Sequence, residues 1–271
     1  MKRMVVVLIL MLVCRFAYAS DAYFVRFRTQ GRQTPFGASM IWGDDILFYN
    51  TGVAPAVVRF LSVSNGSAQG DVPTLTLPAG QPIFLNATPV AERWRPVPVP
   101  PMWVLHLEIP DGVVAESRDE YLLVVGQPVI LITSGKVSMP IFRELVAAGR
   151  PQVQLGTDLG GHDSRANVAI YNDGADTATA TIEVRRTCDS AVVDRRTTTI
   201  PANTLVQVGG LNTASSADCP PNAAEPWARY TVVTVPQPSF TFVSNLNETI
   251  LSEESGVVPI VGLAVTKNEH F

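Results

Sequence analysis

Histidine, cysteine, serine and paired carboxylates carry most protein chemistry, and this chain offers few of them in usable arrangements. Its three histidines are His106, His162 and His270. Gly161-His162-Asp163-Ser164 contains the three residue types of a Ser-His-Asp relay. A relay needs partners delivered from distant parts of the chain, because adjacent side chains in an extended segment point different ways. A polar loop leading into a strand accounts for the same four residues. His106 stands among apolar neighbours in Trp103–Ile109 and reads as a strand residue with a satisfied nitrogen, and His270 lies one residue from the end. Asp158, Asp163, Asp173 and Asp176 flank one edge of the second half, where oxygen-rich loops can hold Ca²⁺. They do not form a D-x-[DN]-x-[DN]-G array, and an ordinary solvated edge explains them as well. Ser134-Gly135-Lys136 resembles the end of a phosphate loop without its opening glycine, so a hairpin turn is expected there. The chain has no G-x-S-x-G elbow, P-loop, H-E-x-x-H or complete G-x-G-x-x-G. A carboxylate pair for glycoside hydrolysis is set by spatial separation, and no two carboxylates are nominated here. No catalytic residue, cofactor or metal ligand is assigned, and the expectation is a protein that is not an enzyme.

The candidate binding surface is Arg93-Trp94-Arg95, inside the proline-rich run Ala91–Trp103. Alternating prolines favour an extended polyproline-like path, and an indole between two guanidinium groups can serve as a platform for a sugar or a partner protein. A stiff crossover loop with Trp94 lying on a sheet edge is the plainer alternative. Asn65, Asn86 and Asn247 each head an N-x-S/T triplet and mark exposed turns.

The beginning of the chain bears on compartment. Lys2 and Arg3 precede an apolar run, Met4–Cys14, and Ala17-Tyr18-Ala19 gives an A-x-A cleavage site before Ser20. Residues 1–19 are therefore expected to be a signal peptide. The apolar run is too short to cross a hydrocarbon core about 30 Å thick, and the mature chain has no candidate transmembrane segment. Losing Lys2, Arg3 and Arg15 leaves 17 basic against 24 acidic residues, a net charge of −7. That acidity argues against nucleic acid as a partner. Export to the periplasm, the cell surface or the medium exposes Cys188 and Cys219 to oxidising conditions. A disulfide between them would close a 32-residue loop and add roughly 3–4 kcal/mol. Two buried free thiols are the alternative.

The elements that must position these residues are strands. Short apolar, β-branched and aromatic runs recur between Pro, Gly, Asn and Asp: Tyr23–Arg28, Asp45–Tyr49, Ala56–Val63, Trp103–Ile109, Tyr121–Val125 and Val129–Thr133. Asn167–Tyr171, Ala178–Val184, Thr204–Val208, Tyr230–Val235 and Phe240–Val243 follow. Only Pro140–Ala148, stopped by Gly149, has helical character. Hairpins are expected around Ser134-Gly135 and around Glu253 to Gly256. An internal repeat organises the strands. Ile46-Leu47-Phe48-Tyr49-Asn50-Thr51-Gly52 returns as Val168-Ala169-Ile170-Tyr171-Asn172-Asp173-Gly174, offset by 122. Thr74–Gly80 returns as Thr197–Asn203, offset by 123. After each Tyr-Asn-x-Gly step the next strand alternates, with Ala178, Ala180, Ile182 and Val184 inward in one copy and Ala56, Val58 and Phe60 in the other. The step itself is expected to turn through positive φ at Asn or Gly.

The run from Arg165-Ala166-Asn167-Val168 through Asn172-Asp173-Gly174, with Ile200-Pro201, resembles Ig-like repeats in secreted proteins of environmental bacteria, over about 45 residues of the second copy and more loosely in the first. The resemblance implies binding or spacer units. The fold expected is all-β: two tandem antiparallel Ig-like β-sandwich domains after the signal peptide, at 20–137 and 150–271, with 138–149 as a short helical spacer. The expected role is a secreted binding or structural module with a protein or glycan partner. A carbohydrate-binding or weakly hydrolytic protein is the alternative, and a periplasmic chaperone-like pair of sandwiches is a third.

Overall fold

The structure is a computed structural model, and it describes residues 19–27, 32–33, 38–64, 74–86, 102–125, 130–138, 141–154, 164–211, 229–248 and 261–266. The strands of the first half are β1 (Ala19–Phe27), β2 (Arg32–Gln33), β3 (Ala38–Asn50), β4 (Ala56–Val63), β5 (Thr74–Leu77), β6 (Pro82–Asn86), β7 (Met102–Pro110), β8 (Val113–Val125), β9 (Ile130–Ser138) and β10 (Ile141–Phe142). Those of the second are β11 (Pro151–Gln154), β12 (Ser164–Asn172), β13 (Ala178–Arg186), β14 (Val192–Ile200), β15 (Thr204–Leu211), β16 (Arg229–Thr234), β17 (Ser239–Glu248) and β18 (Val261–Thr266). All pairings are antiparallel. The fold is all-β, as the alternation implied, and every expected strand overlaps one of these elements, with Arg28, Val129 and Val235 falling just beyond β1, β9 and β16.

The strands form four sheets. A first outer sheet runs β2-β3-β8-β9 with β6 on β3, and a first inner sheet runs β10-β1-β7-β4-β5. A second inner sheet runs β15-β12-β17-β18, and a second outer sheet runs β11-β16-β13-β14. The repeat extends to this whole topology: β3, β4, β5, β6, β7, β8 and β9 correspond to β12, β13, β14, β15, β16, β17 and β18, and β1 corresponds to β11. Three cores lie between the four sheets. Phe24, Ile46, Phe48, Phe60 and Trp103 fill the first sandwich, and Ile170, Ile182, Val184 and Val233 fill the second. The third core joins the two inner sheets, with Tyr23, Val25, Val104 and Phe142 against Tyr171, Leu205, Phe240 and Phe242.

Period two explains how one strand serves two cores. In β1 Ala22 and Phe24 point into the first sandwich while Tyr23 and Val25 point into the seam between halves. In β12 Val168 and Ile170 face the second sandwich, and Ala169 and Tyr171 face the seam. Seam aromatics are closely matched, with Phe142 stacked on Phe240 at 4.1 Å and Tyr171 tilted against Phe240 at 4.9 Å.

The repeated Asn is the latch of each half. Asn50 Nδ2 donates to Ala54 O at 2.8 Å and Leu77 O at 3.0 Å, and Gly52 N donates to Asn50 Oδ1 at 2.9 Å. Asn172 repeats this with Asp176 O at 2.9 Å, Ile200 O at 3.1 Å and Gly174 N at 3.0 Å. The side chain thus shapes its own turn and ties it to the end of the next hairpin. Here the expected positive φ is corrected, because neither Asn nor either Gly of the step has it. Positive φ falls instead at the other repeated turn, at Gly80 (66°) and Asn203 (47°). Gly174 is needed for space, since a Cβ there would lie 2.4 Å from Gln237 Oε1.

Two further expectations are overturned. Residues 141–148 are not helical: Ile141 and Phe142 pair with β1, and Val146 bridges Ser239. Seam burial of Phe142 outweighs a modest helix propensity in so short a segment. Ser134-Gly135 makes no hairpin, because β9 runs straight through it opposite Leu122 and Tyr121 of β8. The hairpin placed around 253–256 lies outside the described residues, although β17 and β18 on either side of it do pair.

The second sandwich differs from the first in one respect. Where β1 turns Ala22 and Phe24 inward, β11 turns Gln152 and Gln154 inward. Gln152 donates to Ser239 Oγ at 2.8 Å and accepts from Thr241 at 3.1 Å, while Gln154 donates to Thr241 Oγ1 at 2.7 Å. Both ends of the Gln152 amide are bonded, whereas Gln154 is held through Nε2 alone and its Oε1 has no partner among the described residues.

Replacing Asn172 by Ala removes the donor to the carbonyls of Asp176, Ile200 and Pro201 and the acceptor of Gly174 N–H, and is expected to lower unfolding free energy by about 2–4 kcal/mol. Asn50→Ala should do the same in the first half, each read by urea denaturation. A loss below about 0.5 kcal/mol would contradict the latch.

Candidate functional site

The titratable side chains that the fold does gather lie at one end of the seam. β1 supplies Asp21 and Tyr23, β7 supplies His106, β12 ends in Tyr171 with Asp173 just beyond, and the turn after β14 supplies Asn203. Tyr23 and His106 face each other across the β1–β7 ladder, and their rings stack at 4.1 Å and 16°. His106 Nε2 lies 3.2 Å from Asp21 Oδ1 without the geometry of a hydrogen bond, so the satisfied nitrogen expected of this strand histidine is not found at Nε2. Across the seam, Tyr23 Oη is 3.4 Å from Asp173 Oδ2 and Tyr171 Oη is 3.1 Å from Asp173 Oδ1. Tyr171 Oη is only 2.6 Å from Asn203 Oδ1, and Asn203 Nδ2 donates to Val63 O of the first half at 3.2 Å.

That last bond fixes which way the Asn203 amide points, so its oxygen faces Tyr171. A hydroxyl has one proton to give. Tyr171 can give it to Asn203 Oδ1 or to Asp173 Oδ1, so the two acceptors compete for it. The Asp173 pKa is raised above the ordinary carboxylate value by burial, against the lowering effect of the two tyrosines and His106. Burial, followed by the charge of Asp173, raises both tyrosines above the usual phenol range, so they remain protonated donors. The cluster ties the two halves together at Asn203–Val63 and Tyr23–Asp173.

The sequence-nominated residues fare unevenly. Arg93, Trp94 and Arg95 lie outside the described residues, as do His162, Asp163, His270 and Cys219. Asp158 is also outside, Asp176 serves the Asn172 latch through its backbone carbonyl, and Asp173 belongs to the seam rather than to a solvated edge. No three His, Cys, Asp or Glu side chains among the described residues are placed to hold a metal ion. No helix among them is long and apolar enough to cross a membrane. Sequence reasoning missed Tyr23 and Tyr171 as partners of Asp173; the only cue was Asp173 standing where the first copy has Thr51.

A second feature is a surface. On the first outer sheet Tyr49 pairs with Pro82 and Val114, and Leu47 pairs with Phe84 and Glu116. These side chains face away from the core, leaving Phe84 67 %, Val114 58 % and Tyr49 40 % exposed. The outward face of the second outer sheet is mixed by contrast, with Glu183 between Arg185 and Arg195 amid threonines and with half-buried Val153, Tyr230 and Val232 beside them.

Comparison with known proteins adds little. No family model matches the chain, and no curated protein matches it. Among solved structures, a lectin from Pleurotus ostreatus in complex with GalNAc aligns at 13% identity over 92% of this chain and 77% of that one. Its TM-score is 0.17, below the level of a shared fold.

The raised Asp173 pKa has a signed consequence. Its folded value exceeds its unfolded value, so its contribution to stability is full below about 3.8 and is lost as pH rises through the folded value. Asp173→Asn supplies a permanent donor toward Tyr171 and removes that loss. The stability of the variant relative to the parent should therefore increase from about pH 3 to pH 7 in urea denaturation. A difference constant with pH would contradict the buried, protonating carboxyl.

Proposed function

We propose that the chain is an exported, non-enzymatic binding or structural module that works through an exposed sheet face on a firmly packed block of four sheets. The observation that carries this is the apolar strip of Tyr49, Phe84 and Val114. A soluble protein seldom leaves neighbouring large apolar side chains on one flat face without a use for them. The acidic balance of the chain supports a protein partner over a nucleic acid. Described polar residues with catalytic potential are spent on structure: Asn50 and Asn172 on latches, His106, Tyr171 and Asp173 on the seam.

Export belongs to the same reading and rests on the Lys2-Arg3 start, the apolar run and the Ala17-Tyr18-Ala19 site. Pairing of Cys188 with Cys219 belongs to the same reading and is supported by the position of Cys188 in the exposed β13–β14 turn. The carbohydrate reading rests on Arg93-Trp94-Arg95. A chaperone-like reading asks for an open basic cleft between the halves, whereas the seam is apolar and carries Asp173.

Export predicts a purified protein whose first residue is Ser20, with a Cys188–Cys219 peptide in a non-reducing digest. Both are read by mass spectrometry. Binding through the strip predicts that capture of protein from the native exported fraction is lost in Phe84→Glu and kept in Trp94→Ala. The opposite pattern, with glycan-array binding lost in Trp94→Ala, would replace this reading by the carbohydrate one.

A further inference from the structure

The two halves are built on one topology, yet one of two equivalent faces is covered and the other is bare. In the second half, Tyr171 stands between Leu205 and Phe240, and this face is buried under the first inner sheet. At the matching register in the first half, Tyr49 stands between Pro82 and Val114, and this face is exposed. The sheet that covers Tyr171 is β10-β1-β7-β4-β5, and its counterpart in the repeat is the second outer sheet, β11-β16-β13-β14. The outward side of that sheet is exposed as well. It presents half-buried Val153, Tyr230 and Val232 beside Glu183, Arg185 and Arg195. Each end of the block therefore carries one side of a seam whose full form exists in the middle.

We infer that the occupant of the Tyr49–Phe84–Val114 strip is a second copy of this chain, docking the outward face of its second outer sheet there in a head-to-tail stack. The inference rests on the reading of the strip as a binding face and names its partner. Three observations support a second copy over an unrelated protein. The geometry needed is already realised once within the chain, between sheets of the same two kinds. Charge is complementary in its balance: Asp45 and Glu116 share the register face of the strip with Arg118, while Arg185 and Arg195 outnumber Glu183 on the opposite end. Central apolar residues with charged surroundings are present on both faces, as interfaces require. The two faces differ, so the contact is heterologous and does not close on itself; association should continue past the dimer. Polar content on one side makes it weaker than the internal seam, which is continuous with the chain.

Two variants test this on the full purified chain by analytical ultracentrifugation. Phe84→Glu blocks the strip, and Val232→Glu blocks the opposite end by placing a carboxylate against Asp45 and Glu116. Urea denaturation and near-UV circular dichroism confirm that both remain folded. The parent chain should show a mass that rises with concentration beyond two chains and falls at higher salt. Each variant alone should associate at least about tenfold more weakly. Mixed together they should form a 1:1 complex that stops at two chains, because each retains the face the other lacks. A parent chain that stays monomeric overturns the inference, and so does a parent dimer preserved in Val232→Glu, which would mean strip against strip. If the parent stays monomeric while Phe84→Glu still abolishes capture of another exported protein, the binding reading survives and only the identity of the partner falls. If Phe84→Glu changes neither self-association nor capture, the strip is not a binding face.

Discussion

Burial of the inner sheets on both faces is the constraint from which the rest of this structure follows. A sheet with one wet face needs alternating polarity, whereas a sheet in the middle of a stack needs apolar or fully bonded residues on both sides. β1 meets that demand with Ala22, Tyr23, Phe24 and Val25 in succession, and β12 does so with Val168 to Tyr171. The aromatic contacts of Phe142, Tyr171, Phe240 and Phe242 then hold two sandwiches as one block. Burying each such side chain contributes about 1.5–3 kcal/mol. Where the seam reaches its edge, Tyr23, Asp173, Tyr171 and Asn203 satisfy one another because water no longer does.

Divergence between the copies follows from where each sits in the stack. The latch asparagines share three bonds that agree within 0.1 Å, because a turn has the same needs at the surface or near a seam, and Asn172 adds a fourth to Pro201 O. Their neighbours are not used identically. Tyr49 and Tyr171 occupy one register position, yet one is 40% exposed and the other fully buried. Gly80 and Asn203 both take positive φ, and Asn203 additionally reaches Val63 across the halves, which a glycine cannot do.

The strands and the repeat were legible in the sequence because period-two alternation and the Asn-x-Gly step are local signals. Thr74–Gly80 and Thr197–Asn203 match in residue type, and in the structure the carbonyls of Leu77 and Ile200 accept from the two latch asparagines. The third core was not legible. Nothing in Tyr171 itself separates it from Tyr49, since a residue's outward side is defined by which sheet arrives there from far along the chain. The same blindness produced the helix expected at Pro140–Ala148, where Phe142 reads as ordinary until Phe240 is seen beneath it. Ser134-Gly135 misled in the other direction, because glycine and serine are turn formers only when the ladder is not already paired on one side. Asp173 was read as an edge residue for the want of knowing that Tyr23 lies opposite.

The glutamines of β11 carry a consequence for assembly of the chain. A four-residue strand has little area with which to choose its alignment, and an all-apolar one can slide by a residue pair at small cost. Gln152 and Gln154 remove that freedom, since their amides meet Ser239 and Thr241 in a single setting and would lose those bonds in any other. The shortest strand of the second sandwich thereby becomes its most exacting one, and the place where the chain crosses from one half to the other is keyed rather than merely greased.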